Sequence, residues 1–220
     1  MKSDIDSPLQ SPKTAHDKAI GEFLRYWKGM RRHGDVPRRS DIDPRGIEPL
    51  LSNAFIVERI APGLARLRIA GTHLSDLMGM EVRGMPLSAF FNTAHRDTLA
   101  HALVQVFDSP ATVQMEIASK GRPGAPGLTG KLVILPLRSD LGDVSRALGC
   151  LVTTGNTGRG PRRFDIDAVH YTNINLSTDA ALRCASDAPQ PEVPLRGFAE
   201  QRPAPLTKSE RPYLRLVKSV

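Results

Sequence analysis

The sequence is poor in aromatic residues and has no long apolar run. Only 5% of its 220 residues are aromatic, with a single tryptophan, so the core has to be mainly aliphatic. No run approaches the roughly 20 apolar residues that span a bilayer, and the first ten residues are charged and polar, unlike a signal peptide. We therefore expect a cytoplasmic protein without membrane insertion.

Cysteine is also scarce, and no catalytic or metal-binding motif is present. Cys150 lies in an apolar run that is typical of a strand, and Cys184 lies in a polar segment. A structural disulfide is unusual in a reducing compartment, so we expect none. No phosphate-binding loop, metal-spaced Cys/His set or nucleophile motif occurs. The sequence thus predicts no metal site and no enzyme, and we expect no resident cofactor.

The net charge of +7 is spread along the chain rather than concentrated. A concentrated positive field is what phosphate binding usually requires, so weak nucleic-acid binding is only the third function considered. Cations also complement the dipole at a helix C-terminus, and we interpret the densest patch as a solvated helix end. That patch comprises Lys28, Arg31, Arg32, His33, Arg38 and Arg39.

Composition divides the chain into four parts. Residues 1–16 are polar and predict a disordered leader, and residues 17–52 predict an N-terminal helix with a capping segment. Residues 53–155 carry the strand and helix patterns of a folded core. Residues 156–220 are rich in proline and predict a mostly disordered tail. Within that tail, residues 213–217 alternate apolar and basic side chains. A disordered end is the favoured interpretation, and an edge strand or a docking peptide is the alternative.

An amphipathic helix precedes the core. Apolar residues recur at helical spacing, Asp17 is a candidate N-cap, and Gly34 and Pro37 close the helix. A core of about 100 residues has no evident need for such a stripe, so we interpret it as a surface for dimerisation or docking. The stripe consists of Ile20, Phe23, Leu24, Trp27 and Met30.

The core pattern predicts two strands, small helices, one longer helix and three strands. Alternation and turn residues place strands at 54–60 and 64–70, and later strands at 112–119, 131–137 and 146–153. Helical spacing places the longer helix at 93–108, ended by Pro110. A short helix at 44–51 is expected before the core, with Asp43 as its cap.

Two local motifs accompany this order of elements. The first consists of Pro37, Arg39, Asp41, Asp43 and Pro44, and the second of Arg68, Gly71 and Thr72. The order of elements and these motifs together resemble a bacterial family of PAS domains, the PAS_5 type. The resemblance covers roughly residues 20–155 and is most specific in two motifs. It implies an α+β fold with a five-stranded antiparallel sheet and helices on one face, preceded by the N-terminal helix. It also implies a signalling or regulatory module that forms homodimers or docks on a protein partner. We expect Arg39 and an aspartate to tie the linker to the sheet by a charge-assisted hydrogen bond.

PAS sheets curl around a pocket, so the resemblance also implies a possible small-molecule site. A filled core is the favoured alternative, and a cofactor or ligand sensor is therefore the second function considered. His95 is the one histidine placed for haem ligation, whereas neither cysteine lies where flavin photochemistry needs one. The candidate lining is Leu67, Ile69, Leu77, Met78, Phe90, His95, Leu99, Leu103, Val106, Met115, Ile117, Val133, Leu135, Leu148 and Cys150.

Overall fold

A computed structural model describes residues 12–121 and 123–174, with the backbone alone for 12–15. Most of the predicted leader and tail, including Cys184 and the candidate docking peptide at 213–217, lie outside the described residues.

The described part has three α-helices, four short 3-10 turns and six strands. The helices are α1 (Pro12–Met30), α2 (Thr72–Met78) and α3 (Arg96–Asp108), and the 3-10 turns are Arg39–Asp41, Pro44–Leu50, Leu87–Phe90 and Thr93–His95. The strands are β1 (Ala54–Ala61), β2 (Leu64–Ala70), β3 (Ala111–Ser119), β4 (Leu128–Leu137), β5 (Arg146–Thr154) and β6 (Asp165–Asn173).

The strands form one antiparallel sheet in the order β2-β1-β5-β4-β3-β6. The predicted fold class is confirmed, but the sheet has six strands rather than five. The additional strand, β6, lies in the segment that composition assigned to the tail. Only Ile166 is buried in β6, so this edge strand has too little apolar alternation to be recognised from sequence.

Both faces of the sheet are covered in its centre. On the inner face, α2, α3 and the neighbouring turns enclose one apolar cluster that includes Phe55, Leu67 and Leu99. On the outer face, α1 and the turn Pro44–Leu50 enclose a second cluster. Because β4 is buried on both sides, its sequence is a nearly continuous apolar run instead of an alternating one.

Helix α1 begins earlier than expected. It starts at Pro12, a residue that suits the first helical position because its missing N–H needs no partner there. Asp17 therefore lies inside the helix and is not the N-cap. Its carboxylate instead pairs with Lys131 of β4, which also lies 3.3 Å from Glu116 of β3.

Candidate functional site

The inner cluster collects most of the side chains that were predicted to line a pocket. These side chains are buried and belong to one packed group with Phe55, Phe91 and Phe107. The predicted residues in this group are Leu67, Leu77, Met78, Phe90, Leu99, Leu103, Val106, Met115 and Ile117.

Four predicted lining residues lie on the opposite face, so their assignment to the pocket is wrong. Val133, Leu135, Leu148 and Cys150 belong to the outer cluster beneath α1. An apolar run in a strand that is buried on both sides does not reveal which side chains face which helix. Burial raises the pKa of the Cys150 thiol to about 12.

Ile69 is also misassigned, because β2 contains a bulge. Ile56 pairs with Ile69, but the next residue, Val57, pairs with Leu67, which leaves Arg68 as the extra residue. The bulge breaks the alternation and turns Ile69 to the outer face. Its side chain is left 49% exposed at the edge of the sheet.

His95 does not point into the apolar cluster. Because α3 begins at Arg96, His95 precedes the helix, and its Nε2 lies 3.3 Å from a carboxylate oxygen of Asp165 at the start of β6. The same oxygen accepts a hydrogen bond from Asn92 Nδ2 at 2.6 Å. His95 thus belongs to a polar contact between the start of α3 and β6.

The apolar stripe of α1 faces the sheet, which corrects the expectation of a free docking surface. Ile20, Phe23 and Trp27 are buried, and Leu24 and Met30 are half-buried against the outer cluster. The indole N–H of Trp27 donates to the carbonyl of Pro136 at 3.1 Å. The stripe is apolar because it covers the second face of the sheet.

The segment from 35 to 44 is fastened to the rest of the chain, but not through the Arg39 side chain as predicted. The ion pair joins Arg138 and Asp35 at 2.8 Å, while Arg39 uses its backbone N–H to bind the Arg138 carbonyl at 3.0 Å. Asp41 accepts from the backbone N–H of Arg38 at 2.9 Å. These contacts hold the segment 35–41 against Arg138, directly after β4. The sequence alone did not identify Arg138 as the partner.

The predicted cap of the next turn is confirmed. The Asp43 carboxylate accepts from the backbone N–H of Arg45 at 3.0 Å, directly before Pro44. The hydroxyl of Tyr26 in α1 bonds to both the carbonyl and the N–H of Asp43 at 2.8 Å. These bonds join α1 to the turn Pro44–Leu50.

The second motif, formed by Arg68, Gly71 and Thr72, lies where two backbone segments approach each other closely. A Cβ at Gly71 would clash with the carbonyl oxygens of Leu51 and Ser52, and the Gly71 N–H donates to Ala54 at 2.8 Å. Only glycine fits there, which explains its place in the motif. Thr72 follows as the first residue of α2, and Arg68 pairs with Glu58 of β1.

The dense basic patch is partly used at the end of α1. The Arg31 guanidinium lies over the Trp27 ring, 5.4 Å from its centroid, and its Nε donates to the carbonyl of Asp35 at 3.1 Å. It also binds the carbonyl of Gly34. These contacts fit the interpretation of a helix end.

The β1–β2 hairpin carries exposed apolar side chains. Ile60 near the end of β1 is 44% exposed, Leu64 at the start of β2 is 39% exposed, and Ile69 lies farther along β2. Glu58, in the middle of the hairpin, pairs with Arg68 and lies 3.7 Å from Arg146 of β5. We call this surface the hairpin face; it comprises Ile60, Leu64, Ile69, Glu58, Arg66, Arg68 and Arg146. The sequence did not predict it, because the bulge in β2 that turns Ile69 outward leaves no signal in the alternation of apolar residues.

A shallow groove of about 410 Å³ lies between α1 and the turn Pro44–Leu50. It is on the outer face, away from the predicted pocket. Within residues 12–121 and 123–174 there is no cluster of three or more potential metal-binding side chains, and no helix that is long and apolar enough to cross a membrane.

One family model matches more than half of the chain. The model of the PAS domain family PAS_5 matches residues 15–152. No curated protein matches. Among solved structures, an RNA-binding light-oxygen-voltage receptor matches with 16% sequence identity and a TM-score of 0.36, over 54% of this chain. The aligned part spans 36% of that receptor.

Proposed function

Because the chain belongs to the PAS_5 family of PAS domains, we propose that it is a cytoplasmic, non-catalytic regulatory module that acts by contacting other proteins. PAS domains are sensory and signalling modules, and the mode of action is the part that we propose. The observation that carries the proposal is the hairpin face, with Ile60, Leu64 and Ile69 exposed on one hairpin.

The composition of the hairpin face suits a protein contact. Single exposed apolar residues are ordinary, but several on one small element together with arginine resemble the centre of an interface. The charged groups next to them are already ordered by ion pairs of Glu58 with Arg68 and Arg146. Because these side chains are already ordered, binding would cost less of their conformational entropy.

The contact is expected on the face of the hairpin rather than along the edge of β2. The backbone N–H of Leu67 donates to Met85 at 2.9 Å, and its carbonyl accepts from Gly84 at 2.8 Å. These bonds occupy the middle of the outer edge, so an added strand would have to displace the 84–86 segment.

The charge of the hairpin face favours an acidic partner. Arg66, Arg68 and Arg146 outnumber the single acid Glu58 on this surface. A two-fold contact between copies would place arginines near arginines, which costs affinity. A partner with apolar side chains and an acidic rim would complement the surface.

Purification from the native host tests the proposal. The tagged full chain is analysed by native mass spectrometry beside a Leu64→Glu/Ile69→Glu variant and the control Leu141→Glu, which places the same charge in a distant turn where Leu141 is 92% exposed. We expect the wild type and the control to carry a bound protein that the hairpin variant lacks. A bare polypeptide mass for the wild type, or full retention by a folded hairpin variant, would refute the proposal.

A small-molecule sensor is the second candidate. It is supported by the gathering of the predicted lining side chains, such as Leu67, Leu99 and Met115, in one inner cluster. Native mass spectrometry of the same preparation tests it as well. A reproducible added mass of ligand size supports a sensor, and its absence from protein made in the native host argues against one.

A further inference from the structure

Two histidines approach the end of β5 from opposite faces of the sheet. His16 of α1, on the outer face, places its Nε2 2.6 Å from the hydroxyl of Thr154. His73 of α2, on the inner face, places its Nε2 3.0 Å from the hydroxyl of Thr153. Successive strand residues point to opposite faces, so one strand end holds both helices.

The surroundings of both imidazoles disfavour a positive charge. His16 is only 6% exposed, and burial, followed by the nearby charge of Lys131, lowers its pKa below the ordinary value; Asp17 and a backbone bond of Thr153 oppose this more weakly. Burial likewise lowers the pKa of His73, against a smaller opposing effect of Asp76 on its own helix.

We propose that His16 and His73 form a proton-sensitive clamp that holds the first half of α1 and the start of α2 on β5 and releases them on acidification. Protonation would place one positive charge beneath α1, beside Lys131, and another beneath α2. Each charge is better hydrated in the released state. The proposed clamp does not depend on whether the hairpin face binds a protein.

The sign of the pH dependence follows from linkage. Above the ordinary histidine pKa of about 6.5, both states are neutral and the clamp holds fully. As the pH falls through and below that value, the released state takes up protons first, so release becomes more favourable.

Cys150 reports the release because it lies in the outer cluster with Ile20 and Phe23. A Cys184→Ser background leaves Cys150 as the single thiol. Its rate of reaction with 4,4′-dithiodipyridine is measured across the pH range in the native protein and in urea. The ratio of the rate in urea to the native rate at the same pH is the protection of the thiol. Protection should be constant above about pH 7 and fall several-fold as the pH drops through about 6.5 to 5.5, because the released state takes up protons first.

Histidine variants separate the clamp from general acid unfolding. His16→Gln/His73→Gln should remove the pH dependence of protection, whereas the control His101→Gln, at an exposed position on α3, should keep it. Constant wild-type protection, an equal effect of the control, or loss of the far-UV circular dichroism signal together with protection would overturn the proposal. If the double variant does not fold, the imidazoles of His16 and His73 are titrated by NMR in the wild-type protein. An apparent pKa at or above about 6.5 for either histidine would also overturn the proposed clamp.

Discussion

Replacing Trp27 with alanine should sharply weaken the attachment of α1 to the sheet. The side chain is 1% exposed and packs in the outer cluster, so its removal should cost about 3 to 5 kcal/mol of unfolding free energy. The loss of its N–H also leaves the Pro136 carbonyl without that donor, which belongs to the same cost. Trp27→Phe keeps most of the ring and should cost about 1 to 3 kcal/mol.

Urea unfolding followed by far-UV circular dichroism measures these differences, because both variants remove the only tryptophan fluorophore. Leu141→Ala is the matched control at an exposed turn and should stay within about 0.5 kcal/mol of wild type. The phenylalanine variant remains measurable if the alanine variant does not fold. A Trp27→Ala protein as stable as the control would refute the packing of α1 on the outer face.

Three further outcomes are expected. Gly71→Ala should lower the unfolding free energy by more than about 2 kcal/mol in urea titration, because its Cβ clashes with backbone oxygen of Ser52; a change below 0.5 kcal/mol would contradict the close approach. Arg138→Met should leave the Asp35 carboxylate without this ion partner and speed amide hydrogen exchange in residues 35–41, and exchange equal to wild type would show that the pair does not hold the loop. At neutral pH, native Cys150 should react with a thiol reagent at least about a hundredfold more slowly than in urea, because it is buried and protonated; equal rates would show that the outer cluster is open.

Periodicity and turn chemistry were sufficient for much of the fold. The hairpin of β1 and β2, the cap at Asp43 and α3 follow from local patterns, and each is present near its predicted bounds. Strand β6 could not be recognised, because a single buried residue, Ile166, leaves no alternation to detect. Its pairing with β3 is a tertiary property.

The candidate site was harder to predict than the fold. The stripe of α1 is equally consistent with a docking surface and with packing on a sheet, and the burial of the stripe against β4 and β5 decides between them. The face assignment of Cys150 failed because its strand is buried on both sides. Ile69 was assigned to the wrong face because strict alternation along β2 does not allow for the bulge at Arg68.

Site-specific photo-crosslinking in the native host tests the proposed protein contact most directly. A benzoylphenylalanine at position 69, in the hairpin face, is compared with the same probe at position 141, in the exposed turn that served as the control above. We expect position 69 to give one discrete product, of the chain joined to one partner protein, which Leu64→Glu abolishes and position 141 does not form. The same products from both positions, or none from position 69, would contradict the assignment of the hairpin face as a protein contact.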